Sequence, residues 1–166
     1  GNPFVDVGLA AIAAVVEKDL TALEPDDLGL AAQELQRILL SDQALGVGVE
    51  KAFVRGALTQ LFPNSELVNP SHWRKGKTLE EKVENIRREF TKRLGQDLMR
   101  VKRCLDQRGD FTCPVCGRQV PEGTTIFVRK DRFPLLAGIV NFYPAFTHGV
   151  PVCGLCAFAI RFLPLA

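Results

Sequence analysis

Apolar residues recur every three or four positions through most of the first 110 residues, the spacing that places side chains on one face of an α-helix. The first stripe comprises Val5, Leu9, Ile12, Val16 and Leu20. Asn2 and Pro3 are a favourable start for this helix, because Asn caps free N–H groups and proline fits the first turn. A second stripe comprises Leu28, Ala31, Leu35 and Ile38, and a third comprises Val49, Phe53, Ala57 and Leu61.

The longest periodic segment follows Thr78 and predicts one long amphipathic helix with Thr78 as its N-cap. Its apolar positions are Leu79, Val83, Ile86, Phe90, Leu94, Leu98, Val101 and Leu105. Glu84 with Arg88, and Glu89 with Arg93, have the i,i+4 spacing of favourable ion pairs. Gly95 is a candidate point for a kink.

The composition changes after Gly109, where seven of the 11 phenylalanines lie among Pro, Gly and Cys residues. Residues 118–120 and 124–129 flank a Pro-Glu-Gly turn and predict a β-hairpin. We therefore predict an α+β fold. A mainly helical body spans residues 1–110, and a zinc-ribbon-like region with a hairpin and a loop insertion spans residues 111–166.

The strongest chemical signal is a set of four cysteines in two C-x2-C pairs, Cys113 with Cys116 and Cys153 with Cys156. Each pair can form a knuckle, a tight turn in which two thiolates converge, and two knuckles complete the tetrahedral shell of a structural zinc. The pairs are 36 residues apart, which is more than in a compact ribbon, so the intervening segment must loop out. We predict zinc as a structural cofactor, with Cys104 as a buried, inert thiol.

Other cysteine chemistries fit less well. A thioredoxin-type redox site needs one C-x-x-C between a strand and a helix, and disulfides need an oxidising compartment and an even count, whereas the chain has five cysteines. A zinc deaminase needs H-x-E and P-C-x-x-C motifs, which are absent. The serines, histidines and glycines form no catalytic or phosphate-binding motif, so we expect no enzymatic activity.

Charge is unevenly distributed, although the whole chain has a net charge of only +2. Residues 1–71 have four basic and ten acidic residues, residues 72–108 have twelve and six, and residues 109–166 have five and three. The middle segment can form a basic face for nucleic acid or a solvated helix surface, and charge alone does not choose between them.

The stretch of 28 residues from Phe133 to Ile160 contains no Asp, Glu, Lys or Arg, so it is long enough to span a membrane. Its three prolines would break a spanning helix, so we predict buried loops and short strands instead. The chain begins without methionine and ends in Pro-Leu-Ala, and we expect it to be part of a longer protein.

Several stretches together resemble one protein family. They are residues 1–11 (Gly-Asn-Pro-Phe-Val-Asp-Val-Gly-Leu-Ala-Ala), Cys-Pro-Val-Cys-Gly at 113–117, Asn-Phe-Tyr-Pro at 141–144, Val-Cys-Gly-Leu-Cys-Ala-Phe-Ala at 152–159 and the Pro-Leu-Ala end. In them the chain resembles the N-terminal part of the zinc-finger-containing large subunit of type I CRISPR effector complexes (Cascade), of the kind found in type I-B and related systems. The resemblance carries over Cys113, Cys116, Cys153 and Cys156 as zinc ligands.

The resemblance implies a non-catalytic subunit in the prokaryotic cytoplasm, with no membrane partner. Such a subunit is expected to recognise the protospacer-adjacent motif in double-stranded target DNA, hold the 5′ end of the guide RNA and support R-loop formation. It assembles with the other Cascade subunits and presents the opened target to a helicase-nuclease or, in transposon-associated versions, to transposition proteins. The alternative is a zinc-stapled helical module for protein–protein assembly that does not contact nucleic acid directly.

RNA-guided effectors read the flanking motif with a few groove-reaching side chains and hold the backbone with cations. The candidates in this chain are Asn2, Trp73, Arg74, Lys75, Lys77, Arg129, Lys130, Arg132 and Asn141. Each has a structural alternative. Asn2 can be only a helix cap, Asn141 can hold a turn, and the two basic clusters can be solvated loops.

Overall fold

The computed structural model describes residues 2–47, Leu58, Phe62, 65–128 and 150–166. The helices in this part of the chain are α1 (Pro3–Val15), α2 (Asp27–Leu39), α3 (Asp42–Leu45), α4 (Pro70–Trp73), α5 (Leu79–Asp106) and α6 (Gly154–Ile160). The strands are β1 (Phe111–Thr112), β2 (Gln119–Val120), β3 (Thr125–Val128) and β4 (Val150–Cys153). The predicted α+β class, helical with a small cysteine-bearing region, is confirmed.

The predicted helix starts are confirmed at α1 and α5. The Asn2 Oδ1 accepts hydrogen bonds from the N–H groups of Phe4 (3.0 Å) and Val5 (3.4 Å). Thr78 caps α5 and forms a capping box with Glu81, in which each side chain accepts from the other residue's backbone N–H. The third predicted helix, with Val49, Phe53, Ala57 and Leu61, lies outside the described residues.

Helix α5 is continuous through Gly95, and its buried face differs from the predicted one. Asp97 and Cys104 are buried in place of Leu98 and Leu105, which are only partly buried, and Leu79 is exposed. The predicted ion pair between Glu89 and Arg93 is present, with Oε1 and Nε 2.7 Å apart. The other predicted pair is not formed, because Arg88 donates to Asn85 instead of Glu84.

The cysteine-bearing region contains an antiparallel hairpin, as predicted, but β1 and β2 form it, and the predicted pairing of residues 118–120 with 124–129 is wrong. Strand β2 pairs antiparallel with the preceding strand β1, with Phe111 opposite Val120. Strand β3 pairs antiparallel with β4, which is distant in sequence, and Thr125 lies opposite Cys153. The cause is the short 3-10 turn Glu122–Thr124 between β2 and β3. The Thr124 hydroxyl donates to the Pro121 carbonyl (2.7 Å), and this turn redirects the chain towards another partner.

One hydrophobic core joins the helical body to the cysteine-bearing region, so it crosses the predicted boundary at residue 110. Helix α6 lies at its centre and packs against both α1 and α5. Phe158 and Phe162 are fully buried there, with ring centroids 5.2 Å apart in a tilted arrangement. No helix among the described residues is both long and apolar enough to cross a membrane.

Candidate metal centre

The first cysteine pair lies in the tight turn between β1 and β2. The Gly117 N–H donates to the Cys113 carbonyl, and the Cys113 N–H donates to the Arg118 carbonyl, both at 2.9 Å. Gly117 has a φ of 73°, in the left-handed region that residues with a Cβ rarely adopt. The glycine therefore lets the chain reverse directly behind Cys116, and this turn forms the knuckle predicted for the first pair.

The second pair is built differently from the predicted knuckle. Cys153 ends β4 and is the N-cap residue of α6, and Cys156 lies in the first turn of that helix. The Cys153 N–H points back to the first pair and donates to the Cys113 Sγ at 3.3 Å. A strand–helix junction replaces the second knuckle, and α6 carries its ligand into the hydrophobic core.

The four sulfurs form a compact cluster with all ligand atoms within 4.8 Å of one another. The Sγ atoms of Cys113 and Cys156 are 3.9 Å apart, and those of Cys116 and Cys153 are 3.6 Å apart. A tetrahedral zinc with Zn–S bonds of about 2.3 Å requires sulfur–sulfur edges of about 3.8 Å. All four cysteines are free of disulfides, so these residues fit a tetrahedral metal site.

Burial and mutual contact set the electrostatics of the cluster. Hydrogen bonds from the Cys156 thiol, with smaller contributions from Cys116 and Cys113, lower the pKa of Cys153 to about 5. The same contact with Cys153, followed by burial, raises the pKa of Cys156, and burial raises that of Cys116. One thiolate can therefore form alone, whereas four adjacent thiolates need a cation to balance their charge.

Access to the cluster is limited, because Cys113, Cys153 and Cys156 are buried and only Cys116 is exposed. The second pair does lie between a strand and a helix, the position expected of a thioredoxin-type site. The second pair differs from a thioredoxin-type site because the first pair places two further sulfurs next to its own two. The fifth cysteine, Cys104, is buried 3.8 Å from the Thr124 carbonyl and is not part of the cluster, as predicted.

Five of the nine candidate nucleic-acid contacts are among the residues that the structure describes. Asn2 caps α1, and Trp73 is half-buried, with its indole N–H donating to the Leu67 carbonyl at 2.8 Å. Three of the cationic candidates, Arg74, Lys75 and Lys77, are exposed on the turn between α4 and α5. The remaining candidates, Arg129, Lys130, Arg132 and Asn141, lie outside the described residues. The structure does not test these assignments, and they stay predictions.

The sequence analysis missed a buried ionic cluster at the other end of α6. Arg161 follows this helix, and its Nε donates to Asp97 Oδ2 at 2.7 Å while its Nη1 donates to Glu66 Oε1 at 2.9 Å. The carboxylate side chains of Asp97 and Glu66 are only 1% and 5% exposed. Arg100 donates to the other Asp97 oxygen at 2.8 Å, so each buried carboxylate oxygen of Asp97 has a charged partner.

A signal for this cluster was present in the long helix. The buried positions of α5 are Val83, Ile86, Phe90, Leu94, Asp97, Val101 and Cys104, so Asp97 keeps the spacing of three or four residues. An acid at a core position requires a buried cation. Arg161 is a candidate for this buried cation, because it is the first charged residue after the apolar stretch 133–160. Its guanidinium also lies over the Phe90 ring, 5.8 Å from the centroid.

Comparison of the chain with models of known protein families, with curated proteins and with solved structures finds no match.

Proposed function

We propose that the four cysteines bind a structural zinc ion, and the observation that carries this is the sulfur geometry. Edges of 3.6 and 3.9 Å agree with a zinc tetrathiolate, and soft thiolate ligands favour zinc over harder cations. The Cys153 N–H donating to the Cys113 sulfur supplies the outer contact that orients such ligands. Four protein ligands leave no open coordination position for substrate, which suits a structural role.

We further propose that this zinc-stapled chain is the N-terminal part of the large subunit of a type I CRISPR effector complex. In that role it recognises the protospacer-adjacent motif, holds the guide RNA 5′ end and supports R-loop formation and effector recruitment, without catalysis. The supporting observation is the resemblance, whose two cysteine stretches meet at one site although 36 residues separate them. Base pairing would then read the target, while the protein reads the flanking motif and the backbone.

A protein-assembly module is the second candidate, and an apolar groove favours it. Leu9, Leu20, Leu23, Leu28 and Leu155 line this groove beside the metal centre. Leu20 is 50% exposed there, so the groove offers apolar surface to another protein. In this second function the chain still binds zinc but does not contact nucleic acid directly.

Affinity purification of the tagged protein from cells that express its complete gene neighbourhood separates the two candidates. The CRISPR proposal predicts co-purifying guide RNA together with the backbone subunits, and nuclease treatment releases the RNA. The assembly module predicts protein partners without RNA. Elemental analysis tests the metal separately, with one zinc per chain expected and none after substitution of a ligand cysteine.

A further inference from the structure

We propose that the outer face of α5 binds the phosphodiester backbone of a nucleic acid. This face is opposite the buried stripe and consists of the exposed residues Arg88, Lys92, Gly95, Gln96, Met99, Lys102 and Arg103. This inference rests on the proposed function only in taking the partner to be a nucleic acid. It assigns the contact to residues that the resemblance and the sequence motifs did not single out.

The face presents cations at both ends of a straight line along the helix. Arg88 and Lys92 lie one helical turn apart, and Lys102 and Arg103 follow after a neutral centre. With a rise of 1.5 Å per residue, Arg88 and Arg103 are about 22 Å apart along the axis. This length matches about six nucleotides of a B-form strand, at 3.4 Å each.

Most other cations of the long helix already have acidic partners. Arg87 pairs with Asp42, Arg93 with Glu89, and Arg100 with the buried Asp97. Within the described residues, by contrast, Lys92, Lys102 and Arg103 form no ion pair. Between Arg88 and Arg103, Glu89 is paired with Arg93 and Asp97 is buried. Glu84 and Asp106 are exposed just beyond the two ends of the face and, in the part of the chain that the structure describes, form no ion pair with its cations.

The helix dipole does not account for the cations at the N-terminal end of this face. Lys102 and Arg103 lie near the C-terminus of α5, where cations complement the helix dipole. Arg88 and Lys92 are too far from that end to benefit from it. As like charges at i,i+4 they destabilise the helix by a few tenths of a kcal/mol. Binding of an anion along the face compensates for this repulsion.

The centre of the face allows a close approach. Gly95 has no side chain, and a Cβ at that position would meet no other atom within 4 Å. Gln96 is neutral and can donate hydrogen bonds to phosphate oxygens, and Met99 is 68% exposed. This uncharged strip separates two pairs of cations, which can contact phosphates at two separate points along the same linear polyanion.

The test compares two double variants that remove the same charge. Lys92→Gln with Arg103→Gln changes the outer face, whereas Arg37→Gln with Lys82→Gln changes exposed or half-exposed cations elsewhere. Binding of the zinc-loaded protein to a DNA duplex and to a single-stranded RNA is followed by fluorescence anisotropy over a range of salt concentrations. We expect the outer-face variant to bind about tenfold more weakly at 0.1 M salt, with a salt slope lower by about 1.8 on duplex or 1.4 on single strands.

A gain-of-function variant provides the converse test. Gly95→Lys adds a cation at the open centre of the face, and Gly95→Ala is its control for helix propensity. We expect Lys at position 95 to strengthen binding several-fold and to steepen the salt slope by about 0.9 on duplex, while Ala leaves both unchanged. Whichever nucleic acid shows the larger response identifies the backbone bound.

Three outcomes would overturn the inference: equal losses in both double variants, binding of poly-glutamate but not nucleic acid, or no binding of either nucleic acid by the unmodified protein. The purification experiment keeps this apart from the proposed function. If guide RNA co-purifies equally with the outer-face variant and anisotropy is unchanged, only this inference fails. If the variant loses nucleic-acid binding but no CRISPR subunit co-purifies, the inference stands and the CRISPR assignment fails.

Discussion

Helix α6 is held at its two ends by different chemistry. At its N-terminus, Cys153 and Cys156 join the first cysteine pair in a cluster fit for a metal. At its C-terminus, Arg161 lies between two buried carboxylates from distant parts of the chain. Both attachments fix the same seven-residue helix in the core, yet one depends on a bound ion and the other only on side chains.

The two ends of α6 contribute to the stability of the fold in different ways. An unfolded chain has no preformed metal site, so the binding free energy of a structural zinc becomes folding free energy. A buried ion pair adds little net stability, because the cost of removing its charges from water offsets most of their attraction. It becomes important when one partner is removed, since the remaining charge is then buried alone.

The largest effect is expected from breaking the metal end. Cys153→Ser removes one ligand, and since structural zinc contributes roughly 10 kcal/mol or more, the variant should be largely unfolded and free of zinc. Circular dichroism and elemental analysis measure the two properties. Cys104→Ala, a buried cysteine outside the cluster, is the control and should keep one zinc. A Cys153→Ser protein that stays folded, with no zinc found in either the variant or the unmodified protein, would contradict the metal assignment.

The ionic end should respond less strongly. Asp97→Asn leaves Arg161 and Arg100 without their shared carboxylate, and we expect a loss of about 3 kcal/mol in the free energy of unfolding. Urea denaturation of the zinc-loaded protein measures it. The exposed pair of Glu34 and Arg37 is the control, and Glu34→Gln should cost less than about 0.5 kcal/mol. Equal losses in the two variants would show that the cluster is not a buried network.

The smallest of the three effects concerns the packing between the two ends. A Cβ on Gly8 of α1 would lie 2.1 Å from the Ala159 carbonyl oxygen of α6, so Gly8→Ala must push the helices apart. We expect a loss of about 2 kcal/mol. The control is Gly29→Ala, which meets no atom within 4 Å and should stabilise its helix by about 1 kcal/mol. Thermal unfolding of both variants measures the contrast, and a neutral Gly8→Ala would refute the close contact.

The sequence predicts those features whose causes lie close together along the chain. The caps Asn2 and Thr78 act on the next few residues. Each cysteine pair has the C-x2-C spacing that predicts the cluster. The pairing of β3 with β4 depends on residues 22 or more positions apart, so the local turn signal suggested the wrong partner. Asp97 keeps the helical spacing of the buried stripe, but its partners Arg161 and Glu66 lie in distant parts of the chain and the spacing does not identify them.

The pairing of β3 with β4 has a consequence for how the chain tolerates change. Val128 and Val150 lie opposite each other, so the two points that the intervening chain must connect are adjacent in the ladder. Closing a longer loop there costs only about 0.6 kcal/mol for each doubling of its length. The ladder itself therefore holds Val128 and Val150 side by side, and the entropy of closing the chain between them depends only weakly on the length of that chain.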